Sequence, residues 1–290
     1  MSELFEKSLR TLELPRVLEM LSAQAVSDEA KRRCLALRPE TDIEDVERLQ
    51  EETEAARRMM ALRGSPGFSG VKPVREILDR ADRGGSLSTI ELLTVAGLLT
   101  SARRTRDYFN DKAGEKSAID HLFHSLHGNR FLEEKIKSAI LDEDTIADTA
   151  SPELADIRRH MRQAQAKSRQ ILQKIISSPS YSKILQESLI TQRDGRFVVP
   201  VKAECKADMP GLIHDISSSG ATVFVEPMGV VQANNELIEL QGKEKKEIQR
   251  ILAQLSADAA AHKDDIGWDY DALVLLDCIF ARAELSYRME

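Results

Sequence analysis

The sequence predicts a mainly α-helical protein with a small antiparallel β insertion, and three observations carry that prediction. Apolar residues recur at helical spacing over most of the 290 residues. Charged residues make up 31% and aromatic residues 4% of the chain, a balance that suits long solvated helices better than a thick globular core. Strand-like runs are confined to residues 185 to 226, where Asp-Gly and a Ser-rich turn punctuate them. A chain of 290 residues accommodates one to two compact units.

Residues 1 to 150 read as ordinary amphipathic helices with explicit starts and stops. In TDIE, Thr41 is placed to cap the Glu44 N–H while the Glu44 side chain reaches back, and STIE repeats the arrangement with Ser88 and Glu91. Helices are therefore predicted to begin near 42 and 89. Loops are predicted at RGSPGFSG (63 to 70) and RGG (83 to 85), where Gly and Pro supply turn geometry.

Ser151 and Pro152 then predict the start of a helix of about 25 residues, because proline at the first helical position loses no needed N–H. Its stripe of Ile157, Met161, Ala164, Ile171, Leu172, Ile175 and Ile176 is narrow and implies one partner helix. A second long helix is predicted from 229 to 265, with Leu237, Ile238, Ile248, Ile251, Leu252 and Leu255 on a similar stripe. Its centre, GKEKKE (242 to 247), is polar on every face, as where a helix crosses solvent. The two are expected to lie antiparallel.

Between them, runs at 185–191, 196–203, 211–216 and 221–226 predict a four-stranded antiparallel meander. In a meander entered and left at one edge, the turns RDGR (193 to 196) and SSSG (217 to 220) fall together at the far end.

The net charge of −7 gives no overall attraction to nucleic acid or to an acidic membrane, so such binding requires a local basic patch. One exists: from Ala155 to Leu185 seven basic residues (Arg158, Arg159, Arg162, Lys167, Arg169, Lys174, Lys183) face one acid, Asp156. Arg158, Arg162 and Arg169 are spaced to share a helix face, which suits phosphate contact; pairing with acids on the neighbouring helix is the competing reading. In the insertion, Arg193, Arg196, Lys202, Ser217, Ser218, Ser219 and Gly220 are candidates for phosphate or sugar contact, although Ser and Gly also serve turn geometry alone.

Other constellations are weaker. His214, Asp215 and Ser217 do not read as a catalytic relay, since adjacent strand residues point to opposite faces. His121, His124 and His127 lack acidic or Cys partners for a metal, and the acidic stretch Asp142, Glu143, Asp144 and Asp148 lacks the glycine and terminal Glu of a calcium loop. Trp268 and LVLLDCIF read as packing residues. Cys34, Cys205 and Cys278 are far apart in sequence, without CxxC spacing, so no disulfide framework or zinc site is expected. With no apolar run near the roughly 20 residues needed to span a bilayer and no apolar signal core, a cytoplasmic location without membrane partners is expected.

The order SPEL, long helix, TQRDGRFVVPVKAE, PGLIHDISSSGATVFVEP, then NNELIELQGKEKKEI closely resembles the MutS family in its bacterial type-two branch. The resemblance extends to TLELPRVLEMLSAQAVSDEAKRRCLALRP, to RADRGGSLS and to DEDTIADTASPEL, and so covers essentially the whole chain. It implies a helical core over 1–150, lever helices at 151–180 and 228–268, a β clamp at 181–227 and a C-terminal helix at 269–290 leading to an ATPase domain. It further implies action on branched DNA to suppress recombination, action on collided ribosomes through ribosomal RNA, a homodimer in the full-length protein, and a parent protein that is an ATPase and endonuclease using ATP and Mg. The alternative is a dimerisation scaffold that transmits ATPase motion without touching nucleic acid.

The sequence departs from the family pattern in having no GxxxxGK[ST] phosphate loop. It is therefore expected to be a core, lever and clamp fragment, ending at YRME, that is no enzyme alone and holds no cofactor or metal.

Overall fold

The computed structural model describes residues 3–109 and 116–289 and is mainly α-helical with one four-stranded antiparallel sheet. Its chain divides into two compact units, residues 1–146 with 252–290, and residues 147–251.

The first unit contains α1 (Glu3–Thr11), α2 (Leu14–Ser22), α3 (Asp28–Leu35), α4 (Ile43–Arg63), α5 (Arg75–Asp82), α6 (Thr89–Tyr108), α7 (Asp120–His124) and α8 (Arg130–Ala139). It is completed by the last turns of α10 (Met228–Ala261) and by α11 (Lys263–Met289). The predicted capping box at Ser88 and Glu91 is present in both directions. At the earlier start the cap is Asp42 rather than Thr41: its carboxylate accepts from the Glu44 N–H at 2.9 Å. Two cap-competent residues stand side by side there, and the one that adopts extended geometry before Ile43 takes the role.

Helix α11 is the axis of this unit, and Leu273, Leu276, Ile279 and Phe280 on it are buried. The Phe280 ring lies 6.0 Å from Phe68, 6.1 Å from Tyr108 and 6.5 Å from Phe123. Two buried aspartates of the same helix fasten loops. Asp277 accepts from the Val26 N–H at 3.0 Å, the Ser27 N–H at 2.7 Å and the Ser27 hydroxyl at 2.6 Å. Asp269 accepts from the backbone of His127 at 2.7 Å and Gly128 at 3.0 Å, while burial pushes its carboxyl above the usual range. Cys34 and Cys278, far apart in sequence, are both free thiols of this unit, and the Cys278 thiol donates to the Ala30 carbonyl at 3.7 Å. The predicted continuous helix to 265 is broken: α10 ends at Ala261, and Asp264 and Asp265 supply the negative charge that suits the first turn of α11.

The second unit contains α9 (Pro152–Ser177), β1 (Thr191–Arg193), β2 (Arg196–Lys202), β3 (Gly211–Ile216), β4 (Thr222–Pro227) and the first part of α10. Ser151 caps α9 by accepting from the Leu154 N–H at 3.0 Å and donates its hydroxyl to Glu247 on α10 at 2.6 Å. Arg158 meets Glu244, and Ser168 lies beside Asn234, so the two helices run antiparallel as predicted. GKEKKE does not cross open solvent here, because its Glu244 and Glu247 face α9 and Glu247 is buried.

The sheet is not a meander. Its strand order is β1-β2-β4-β3, with β4 inserted between β2 and β3. The 203–210 connection is no hairpin turn: it winds through a 3-10 helix, Ala203–Asp208, buries Met209, and returns to the opposite end of the sheet before β3 begins. The first strand is also shorter than predicted, with Leu185 making only an isolated bridge to Val201. Asp194 (φ 49°) and Gly195 (φ 78°) form the tight turn that Asp-Gly predicts. The registers place Val199, Val201, Val223 and Val225 on one face, where they pack with Leu172, Leu185, Met209 and Val230. Gly211 sits tightly against β4, since a Cβ there would lie 2.2 Å from the Glu226 carbonyl oxygen.

Candidate nucleic-acid interface

The strand order separates residues that the sequence placed together. In β2, Arg196 adjoins the Asp194-Gly195 turn, whereas Lys202 at the other end pairs with Thr222 beside the Ser217–Gly220 turn. The two turns therefore occupy opposite ends of the sheet, not one shared edge.

The Arg196 end is tied down. Its guanidinium donates to both oxygens of Glu226 at 3.1 and 3.0 Å and to the Asn235 side-chain oxygen at 2.8 Å. Glu226 is fully buried and also accepts from Asn234 at 2.9 Å, with the His214 ring nitrogen 2.6 Å away. A charge at that depth requires such partners. Sequence reasoning missed this cluster; the available signal was a lone carboxylate inside the apolar run VFVEP. A β-bulge between Ile213 and Asp215 turns His214 toward Glu226, while Asp215 pairs with Arg193 at 3.1 Å. The Arg193 guanidinium also lies 4.1 Å from the centre of the Phe224 ring, so its charge is largely engaged.

The Lys202 end is more open. The Lys202 ammonium donates to the Lys183 carbonyl at 3.1 Å, which leaves most of its donor capacity unused. Lys183 and Lys206 on adjoining backbone are exposed, and the Ala203 N–H to Ala221 carbonyl bond (3.0 Å) holds the start of the 3-10 helix against the Ser-rich turn. In that turn the Ser217 hydroxyl accepts from the Thr222 N–H at 3.1 Å, Gly220 adopts φ 73°, and Ser218 and Ser219 are exposed. Charge and hydroxyl donors therefore converge at this end, with Glu204 and Asp208 nearby in sequence.

On α9 the three candidate arginines differ. Arg158 is largely buried and paired with Asp148 and Glu244, each at 2.7 Å. Arg162 meets Asp148 at 3.0 Å, and these two arginines hold that carboxyl below its usual range. The Arg162 pair is solvent-exposed and is worth about 0–1 kcal/mol, weak enough to yield to a phosphate. Arg169 is exposed. Over residues 147–251 fifteen Lys and Arg stand against thirteen Asp and Glu, a balance of +2 within a chain at −7, so the other unit carries −9.

Among the described residues, no group of three or more His, Cys, Asp and Glu side chains is placed to hold a metal. His127 lies outside α7, which ends at His124, and pairs with Asp269 at 3.5 Å. Asp142 accepts from the Asp144 N–H at 3.0 Å in a tight turn. No helix among the described residues is long and apolar enough to cross a membrane.

No family model matches the chain. Curated relatives do. It is 44% identical over 283 residues to a protein named Endonuclease MutS2 from Ruminiclostridium cellulolyticum, covering 97% of this chain and 36% of that protein. The same name belongs to relatives from Pelotomaculum thermopropionicum, 44% identical over 285 residues (98% and 36%), and Acetivibrio thermocellus, 41% identical over 284 residues (97% and 36%). The chain thus spans 36% of the length of these relatives. Over the stretch that it spans, the chain belongs to the MutS family, in its MutS2 branch.

Proposed function

We propose that this chain is the core, lever and clamp region of a MutS2-type protein, and that residues 147–251 engage nucleic acid through its phosphate backbone. The observation that carries the reading is the Lys202 end of the sheet, where the backbone that carries Lys183, Lys202 and Lys206 is hydrogen-bonded beside the turn that exposes Ser218 and Ser219. Ammonium and hydroxyl donors on a turn suit phosphate and sugar oxygens, contacts that carry no sequence information. Branched DNA and ribosomal RNA both present such a backbone. In the full-length protein the reading assigns ATP and Mg binding and endonuclease chemistry outside this chain, which acts in the cytoplasm as one arm of a homodimeric clamp that suppresses recombination or acts on collided ribosomes.

A scaffold reading, in which the helices only transmit motion, is favoured by one observation: Arg158 spends its charge within the helix pair. Fluorescence anisotropy with a labelled four-way junction, linear duplex and structured RNA, alongside sedimentation, separates the two. Binding that weakens steeply with salt and drops at least tenfold in Lys202→Glu/Lys206→Glu supports the clamp. A clean dimer that binds none of the three probes supports the scaffold.

A further inference from the structure

We infer that α9 carries a second backbone-contacting surface, a stripe of Gln163, Lys167, Gln170 and Lys174 that takes one strand of a nucleic-acid duplex. The inference rests on the nucleic-acid reading above and adds to it a helix flank that the candidate arginines do not occupy.

Helical geometry separates the two flanks. The core face of α9 is defined by the buried Leu154, Ile157, Ala164, Ser168 and Leu172. At about 100° per residue, Arg158, Arg162 and Arg169 fall to one side of that face, the side of Asp148 and Glu244. Gln163, Lys167, Gln170 and Lys174 fall within an arc of about 60° on the other side, and all four are exposed. Lys167 and Lys174 make no ion pair with any described residue.

The chemistry of the stripe points to a polyanion. No Asp or Glu occurs from Ile157 to Gln186, so nothing in this stretch neutralises the two ammonium groups. Without an apolar side chain, the stripe gives a partner helix nothing to bury. Lys167 and Lys174 stand seven residues apart, about 10.5 Å along the axis, which spans about three phosphates of one B-form strand at 3.4 Å each. Between and beside them the glutamine amides supply neutral donors of the kind that bind phosphate and sugar oxygens without reading sequence. Arg158 and Arg162 pair with acids on the other flank, which leaves Lys167 and Lys174 as the two neighbouring unspent charges on this flank.

The test is the salt dependence of binding to a 30-base-pair DNA duplex and to an RNA duplex of matching sequence, by anisotropy. Lys167→Ala/Lys174→Ala places good helix formers at exposed positions, so folding is retained and circular dichroism checks it. The slope of log K against log salt is expected to fall by about 1.8 on B-DNA, about 0.9 per lost phosphate contact. A larger loss on one duplex identifies whether DNA or RNA is the better occupant. An unchanged slope, with binding still lost in Lys202→Glu/Lys206→Glu, overturns the α9 surface and leaves the clamp reading intact. No binding of either duplex by the unaltered chain overturns both. Equal displacement by poly-glutamate at matched charge overturns the nucleic-acid assignment of the stripe in favour of an acidic polypeptide.

Discussion

The two units of this chain solve the same problem with different materials. The unit of residues 1–146 and 252–290 is acidic and packs Phe68 and Phe123 around Phe280 of α11. The unit of 147–251 has a slight positive balance, an aliphatic core on one sheet face, and a buried polar cluster centred on Glu226. Apolar packing tolerates compensation among neighbours, whereas a buried charge depends on every partner. The second unit is therefore the more fragile at a single point.

The largest expected effect breaks the second unit at that point. Glu226→Ala strands Arg196, His214 and Asn234 and is expected to cost about 3–5 kcal/mol. Hydrogen exchange should rise throughout 191–227 while the lone Trp268, in the other unit, keeps its fluorescence. Uniform destabilisation of both units would contradict the confinement of this effect to the second unit. In the first unit, Asp277→Ala removes the acceptor of two backbone N–H groups and a hydroxyl, with an expected cost of about 3 kcal/mol. Exchange should then rise around Val26 and Ser27 and spare the sheet.

Acid sharpens the comparison further. Each unit holds one carboxyl at about 2: in Glu247 the Arg250 hydrogen bonds depress it against burial, and in Glu133 burial acts upward but is outweighed by Arg103, Lys137 and Thr100. A depressed carboxyl stabilises the fold above its unfolded value of 4.5 and loses that contribution as pH falls toward 2. Both units should therefore weaken between pH 4.5 and 2, and Glu247→Gln should flatten that decline only for 147–251. The smallest expected effect is Ser88→Ala, which removes one cap at about 1 kcal/mol and shifts only the midpoint of the first unit.

What the sequence disclosed follows the range of the physics. Caps at Ser88 and Ser151 and the Asp194-Gly195 turn were legible because each acts within four residues. The antiparallel pairing of α9 and α10 was legible from two narrow stripes. Strand order was not, because turn chemistry reports on chain neighbours and the β2–β4 pairing joins Val199 to Val225 across an intervening strand. Site residues suffered likewise. The basic patch on α9 was plain, yet which of its charges are spent depended on Glu244, 86 positions beyond Arg158. The Glu226 cluster was hidden because a single carboxylate reveals nothing of the three side chains, Arg196, His214 and Asn234, that converge on it.

We propose that nucleic acid is held by the second unit and not by the first. Photo-crosslinking of a four-way junction with backbone-attached diazirines, followed by peptide mapping, tests it directly. The account predicts adducts within 163–183 and 202–220, diminishing as salt rises. Adducts confined to residues 1–146 or 252–290 would contradict it.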